Sequence, residues 1–194
     1  MLSNLTDTYQ IILASGSPRR QQFLKDLGLP FRIQLFDVEE IYPEDLFKNE
    51  ITEYLSELKS KPFDETLKDN ELVITSDTIV WFDNKALEKP KNEQEAFQML
   101  KALSGQMHEV ITSVCIKTKQ HTETITDTTK VYFSEVSDEE IQYYISNFKP
   151  FDKAGSYGIQ EWIGFIAVEK IEGSYFNVMG LPIHKLYKYL KTLA

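Results

Sequence analysis

A carboxylate set inside an apolar strand is the residue that most needs explaining. Asp77 interrupts Leu72-Val73-Ile74-Thr75-Ser76-Asp77-Thr78-Ile79-Val80-Trp81-Phe82. Burying an ionised carboxylate there costs several kcal/mol, by order of magnitude, unless it is paired or bound to a metal. Two readings are open. Asp77 is either a strand-end carboxylate held by a neighbouring loop, or a general base or Mg²⁺ ligand, the uses for which such costly groups are kept.

A second group lies near the start of the chain, in Ala14-Ser15-Gly16-Ser17-Pro18-Arg19-Arg20. Ile11–Leu13 reads as a short buried strand, the small residues break it, and Pro18 suits the first position of a helix. Arg19 and Arg20 fall in that helix's first turn, where cations oppose the helix dipole. Free amides, the Ser15 and Ser17 hydroxyls and two guanidinium forks together make a phosphate site; the plainer reading is a serine-capped helix with solvated arginines. No Gly-Lys-Ser/Thr follows, so this is not a Walker A loop.

Further candidates stand between and beyond these two. Glu39 and Glu40, with Asp77, could supply the carboxylate oxygens that Mg²⁺ prefers, although adjacent glutamates on a turn are commonly solvated. Lys59, Lys61 and Lys89 could clamp phosphates as point charges, or simply lie at the surface. Residues 152–160 form a glycine-bearing loop ending in Gln160, whose amide can read a base edge with both a donor and an acceptor. A similar loop covers 173–182. His108, His121 and His184 lack metal-ligand spacing, and no G-x-S-x-G elbow is present, which disfavours a serine or cysteine hydrolase.

The elements that must carry these residues can be read from periodicity. Strands are expected at 11–13, 31–36, 72–82, 110–117, 124–133 and 163–171. Helices are expected after Pro18, after an Asn49 cap with Lys59 near the end, and over 96–103 behind an Asn92/Glu95 capping box. Two more are expected, over 141–148 behind a Ser137/Glu140 box and after Pro182. Residues 60–70 read as a loop or a short polar helix, and Asp83-Asn84-Lys85 as a turn. Strands and helices alternate early while a strand pair sits mid-chain, which predicts an α/β fold with a mixed sheet.

Composition narrows the class of function. The 194 residues carry 21 basic and 30 acidic side chains, a net charge of −9, which argues against a general nucleic-acid binder. Cys115 is the one cysteine, so no internal disulfide can form, and its apolar neighbours predict a buried thiol. Aromatic residues make up 12% and sit at core spacing, which reads as core. Residues 1–10 are polar and the apolar piece 11–14 is too short for a signal h-region. No stretch is long and apolar enough for a membrane span, so a soluble cytoplasmic protein with no membrane partner is expected.

Taken together and in this order, several motifs resemble the Maf family of nucleoside triphosphate pyrophosphatases. They are Ala14–Arg20, Ser76-Asp77-Thr78, Lys89-Pro90, Leu103-Ser104-Gly105, Asp152-Lys153-Ala154-Gly155-Ser156-Tyr157-Gly158-Ile159-Gln160 and Gly180-Leu181-Pro182. The resemblance runs from about Ile11 to Leu190 and implies one domain over 1–194. It implies an inosine-triphosphatase-like fold: an elongated mixed sheet flanked by helices, with two lobes and a central cleft. It implies hydrolysis between the α and β phosphates with a divalent cation, Mg²⁺ or Mn²⁺, in a house-cleaning role against non-standard nucleotides, and a homodimer. Asp77 matches the proton acceptor, while Arg19, Arg20, Glu40, Lys59 and Lys89 match positions holding metal or phosphates. Arg19, Thr78 and Gln160 match the subgroup that cleaves dTTP and UTP, whereas 7-methyl-GTP enzymes tend to place tryptophan at the Arg19 position. A third expectation, from the family's older name, is a non-catalytic regulator of septum formation. Ser76 departs from the usual alanine, and Lys59-Ser60 from the usual Lys-Ala.

Overall fold

The computed structural model describes residues 2–194, and in it the chain folds as two compact units. The first runs to Asp77 and adds Thr112–Asp127 and Gly180–Ala194; the second holds Thr78–Ile111 and Thr128–Met179. Secondary structure begins with a short helix α1 (Ser3–Thr8), absent from the sequence reading, then β1 (Gln10–Leu13), α2 (Pro18–Asp26), β2 (Phe31–Ile33) and α3 (Asn49–Ser60). After one 3₁₀ turn at Lys61–Phe63 come β3 (Glu71–Phe82), β4 (Lys85–Leu87), α4 (Glu93–Leu103), β5 (Met107–Lys117) and β6 (Thr122–Phe133). The chain ends with α5 (Asp138–Phe148), α6 (Trp162–Ala167), β7 (Val168–Glu172), α7 (Tyr175–Val178) and α8 (Ile183–Leu190).

The sheet is mixed, as expected. Its seven strands run in the order β2-β1-β3-β5-β6-β7, with β4 paired to β3. β1 pairs in parallel with both β2 and β3, whereas β3–β4 and β6–β7 are antiparallel. β3 is buried along nearly its whole length, the condition under which a strand reads as a continuous apolar run rather than an alternating one. Asp83 and Asn84 both have positive φ, 48° and 56°, the conformation a two-residue hairpin demands. In the second unit a core of Leu100, Leu103, Val131, Ile141, Tyr144 and Ile145 forms beneath α4 and α5. In the first, Ile12, Phe63, Leu67 and Val73 pack together.

Several sequence expectations are corrected. The run 163–171 is not one strand: Trp162–Ala167 is helical and the strand starts at Val168. A short apolar run cannot separate helix from strand by periodicity. The close approach there is local along the chain: a Cβ on Gly164 would sit 1.9 Å from the Ile159 carbonyl oxygen. β2 stops at Ile33 instead of Phe36. Asn49 is the first residue of α3 and does not cap it; Lys48, at φ 52°, occupies the cap. The Ser137/Glu140 capping box is complete, but Glu95 turns to the amide of Lys91 at 2.7 Å and leaves the Asn92 half of its box alone. Nor are all aromatic residues core: Phe165 is 76% exposed, and Tyr143, Phe47 and Phe176 are about half exposed.

Candidate active site

The first unit builds a charged cluster from four segments: the turn from β1 into α2, the stretch between β2 and α3, the end of α3 and the middle of β3. Thr75 and Asp77 share a face of β3, because side chains alternate along a strand. Thr75 donates from Oγ1 to the Ser56 carbonyl of α3 at 2.6 Å, and Thr52 of the same helix meets Ser113 of β5 at 2.7 Å. Those buried hydroxyls fix the register of α3 on the sheet. One turn beyond Ser56, Lys59 arrives beside Asp77.

The Lys59 ammonium touches two carboxylates, Asp77 Oδ1 at 2.7 Å and Glu40 Oε2 at 2.9 Å. Asp77 is 7% exposed. Its cost of burial is therefore offset by an ion pair on the sheet's own helix. Of the Glu39-Glu40 pair, Glu40 is the one that turns onto the lysine. Lys61, two residues on, lies over the Tyr54 ring at 5.9 Å and has no part in this cluster. The Ser60 hydroxyl bonds back to Glu57 within α3, so the departure from Lys-Ala is absorbed by the helix.

Arg20 explains why cations sit in the first turn of α2. Its Nε donates to the Gly180 carbonyl at 2.8 Å and its Nη1 to the Ser76 carbonyl at 2.8 Å, with Ser15 Oγ at 3.3 Å. The arginine thus ties α2 to the peptide immediately before Asp77 and to the segment entering α8. Burial pulls its guanidinium down to about 10, opposed by attraction to Asp77 and Glu40 and reinforced by repulsion from Arg19. It stays charged at neutral pH. Sequence reasoning marked Gly180-Leu181-Pro182 and Ser76 as motifs but did not find this link. Two cations against a helix dipole were the signal that could have prompted it.

The loop itself is braced from within. Ser15 is buried and its Oγ accepts the Ser17 amide at 3.3 Å. Ser17 precedes α2 in an extended conformation, but its hydroxyl does not cap the helix, and Pro18 follows at the first helical position. Arg19 is half-buried in the same turn. Ser15, Ser17, Arg19, Arg20, Glu40, Lys59 and Asp77 all belong to the first unit. Thr78, Lys89 and Gln160 belong to the second. There Lys89 is exposed, and Thr78 and Gln160 are half-buried.

The loop carrying Gln160 is held by a buried network that the sequence reading missed. Lys153, 8% exposed, pairs with Asp152 at 2.6 Å and Glu161 at 3.1 Å. The Tyr144 hydroxyl donates to Glu161 and accepts the Gly158 amide at 3.1 Å. Burial, with Glu161 beside it, pushes the Tyr144 phenol well above its ordinary range. Nearby, His108 is buried with Nε2 against the Tyr157 hydroxyl at 2.7 Å, and burial lowers its pKa to about 3.

Among the described residues, no cluster of three or more His, Cys, Asp or Glu could hold a metal alone. The donor set fits a divalent cation shared with a substrate. Asp77 and Glu40 are hard oxygen donors close enough to contact one common cation, here the Lys59 ammonium. Mg²⁺ takes one or two carboxylates and completes its shell with phosphate and water. Among the described residues, no helix is long and apolar enough to cross a membrane.

The family model for Maf-like proteins matches residues 10–193. The chain belongs to the Maf family. Three relatives along its whole length bear one name. The dTTP/UTP pyrophosphatase of Flavobacterium johnsoniae is 62% identical over 194 residues, all of both chains. That of Christiangramia forsetii is 56% identical over 193 residues, covering 100% of this chain and 98% of its own, and that of Phocaeicola vulgatus is 53% identical over all of both chains. Among solved structures, the Staphylococcus aureus Ham1 protein aligns over 64% of this chain and 71% of its own, with 14% identity and a TM-score of 0.44.

Proposed function

We propose that this Maf-family chain hydrolyses nucleoside triphosphates, dTTP and UTP foremost, to the monophosphate and pyrophosphate, clearing non-standard nucleotides in the cytoplasm. The observation that carries the reading is the meeting of Asp77 and Glu40 on the half-buried Lys59 ammonium. Relatives sharing half or more of its residues over full length, each named for that activity, support the choice of substrate.

In this reading, water attacks the α-phosphorus, the new O–P bond forms and the α–β bridging bond breaks. Pyrophosphate leaves with the bridging electrons. Asp77 orients the water and takes its proton. Charge develops on oxygens that have no covalent partner in the protein, so the remaining task is neutralisation and positioning. Arg19, Lys59 and Lys89 take the phosphate oxygens, Ser15 and Ser17 shape the loop beneath them, and Arg20 fixes the peptide that carries Asp77. Glu40 and Asp77 would hold Mg²⁺ or Mn²⁺, which supplies two further positive charges to the phosphates when bound. Thr78 and Gln160, with Arg19, select a pyrimidine. We extend the reading to a homodimer, supported by exposed Leu35 and Ile41 just beyond the edge strand β2.

The test is a nucleotide panel with Mg²⁺, reading the phosphorus products. Monophosphate plus pyrophosphate from dTTP and UTP is the expected result. The same products chiefly from 7-methyl-GTP would move the substrate assignment, and tight binding without turnover would leave a nucleotide-sensing regulator. Asp77→Asn is expected to lower kcat by about 10²–10⁴ while nucleotide affinity holds. Near-normal turnover in that variant removes Asp77 from the mechanism.

A further inference from the structure

We propose that Gly158 is a positioning residue for Gln160: its missing side chain reserves the space in which the Gln160 amide lies. The inference rests on the reading that Gln160 recognises the base edge, and it concerns what aims that amide.

A Cβ built on Gly158 would meet Gln160 Nε2 at 2.8 Å, the Glu161 carboxyl carbon at 2.9 Å and Lys153 Cε at 3.0 Å. Two of these are closer than a real Cβ comes and the third is at that limit, so the neighbours must give way. Two of them are anchored. Glu161 is held by Lys153 at 3.1 Å and by the Tyr144 hydroxyl, and Lys153 is nine-tenths buried between Glu161 and Asp152. The Gly158 amide is itself fixed on the Tyr144 hydroxyl at 3.1 Å, and the Glu161 amide returns to the Gly158 carbonyl at 2.9 Å, so the backbone cannot swing clear. Glu161 and Lys153 can give only by the few tenths of an ångström their ion pair allows, and the Gln160 amide, at the end of a flexible side chain, yields furthest.

Gly158 also lacks the left-handed φ that requires glycine at Gly155 in the same loop. Alanine is therefore compatible with its backbone. The demand for glycine comes from the neighbouring side chain and not from the chain conformation. An amide presents a donor and an acceptor in fixed orientation, so turning it away removes discrimination between pyrimidines that differ in their exocyclic groups, such as UTP and CTP.

The experiment compares wild type, Gly158→Ala, Gln160→Ala and the double variant by kcat/KM on UTP and CTP, and follows the Gln160 side-chain amide by ¹⁵N NMR, assigned through its loss in Gln160→Ala. We expect Gln160→Ala to lower the UTP/CTP ratio roughly tenfold. Gly158→Ala should reproduce that loss with a displaced amide resonance and CTP turnover near wild type, even where pressure on Glu161 lowers the thermal midpoint by a few degrees. In the double variant Gly158→Ala should then add nothing to the ratio, the mark of two residues acting through one group. A general structural role for Gly158 would instead lower turnover on both nucleotides alike, with the midpoint, and overturn the proposal. So would an unchanged UTP/CTP ratio in Gly158→Ala beside a lowered one in Gln160→Ala. If Gln160→Ala itself leaves the ratio unchanged, or the protein turns over neither nucleotide, the base-reading assignment fails. The NMR arm then decides positioning alone: a displaced Gln160 resonance in Gly158→Ala upholds it, and an unmoved one refutes it.

Discussion

Replacing Arg20 by methionine separates a structural clamp from a phosphate ligand. In the folded chain its guanidinium makes two hydrogen bonds of 2.8 Å to carbonyls 56 and 160 residues away. A hydrogen bond to a charged group contributes about 1.5–3 kcal/mol, so losing both costs about 3–6 kcal/mol. Burial of the charge, visible in the lowered pKa of about 10, offsets part of that, because methionine carries no such penalty. A net loss of about 2–4 kcal/mol follows, and in a chain of this length each kcal/mol moves Tm by about 2–4 °C. Arg20→Met should therefore melt roughly 5–15 °C below wild type with no nucleotide present, and Arg20→Lys, which can reach one carbonyl, about half as far. Differential scanning calorimetry of the nucleotide-free protein reads this directly. A residue that served phosphate alone would leave that melting point unchanged and raise KM. Finding Tm within ~2 °C of wild type together with a raised KM would refute the clamp.

Two further outcomes are expected. His108 is neutral in the fold, with a pKa near 3, but titrates near 6.5 when the chain unfolds. Between those values the unfolded chain binds the extra proton, so stability is full above pH 6.5 and is lost as pH falls towards 3, by about 1.4 kcal/mol per pH unit for this residue. Urea midpoints at a series of pH values should show that slope, and His108→Gln should flatten it; an equal slope in both proteins removes His108 as the acid-sensitive group. Gly155 has φ +64° and a Cβ there would lie 2.7 Å from Val80 Cγ2. Gly155→Ala should cost about 2–4 kcal/mol of unfolding free energy, from strain and overpacking together, and a denaturation midpoint equal to wild type would contradict that.

Local chemistry was enough to determine much of this molecule from its sequence. The Ser137/Glu140 capping box, the turn at Asp83-Asn84, the apolar run of β3 and the helix after Pro18 each depend on neighbours within a few residues. They read correctly because the same interactions operate in the folded chain. The types of the candidate site residues were legible for a related reason: a carboxylate in an apolar strand and two arginines at a helix N-terminus are locally unfavourable. Where local cost is high, something distant must offset it.

What offsets it is tertiary, and no local pattern named the partner. Lys59 meets Asp77 where hydroxyls on β3 and β5 hold α3 against the sheet, and Glu40 reaches the same ammonium from the segment between β2 and α3. Arg20 reaches Ser76 because the parallel pairing of β1 and β3 brings that peptide to the end of β1, and it reaches Gly180 at the entry to α8. Trp162–Ala167 is helical against the strand-like composition of the run, with Ile163 and Ala167 buried in the core that holds Tyr144 and Ile145 of α5. The order of residues sets which groups carry unmet hydrogen bonds and charges; only packing, which joins segments remote along the chain, decides which groups meet them.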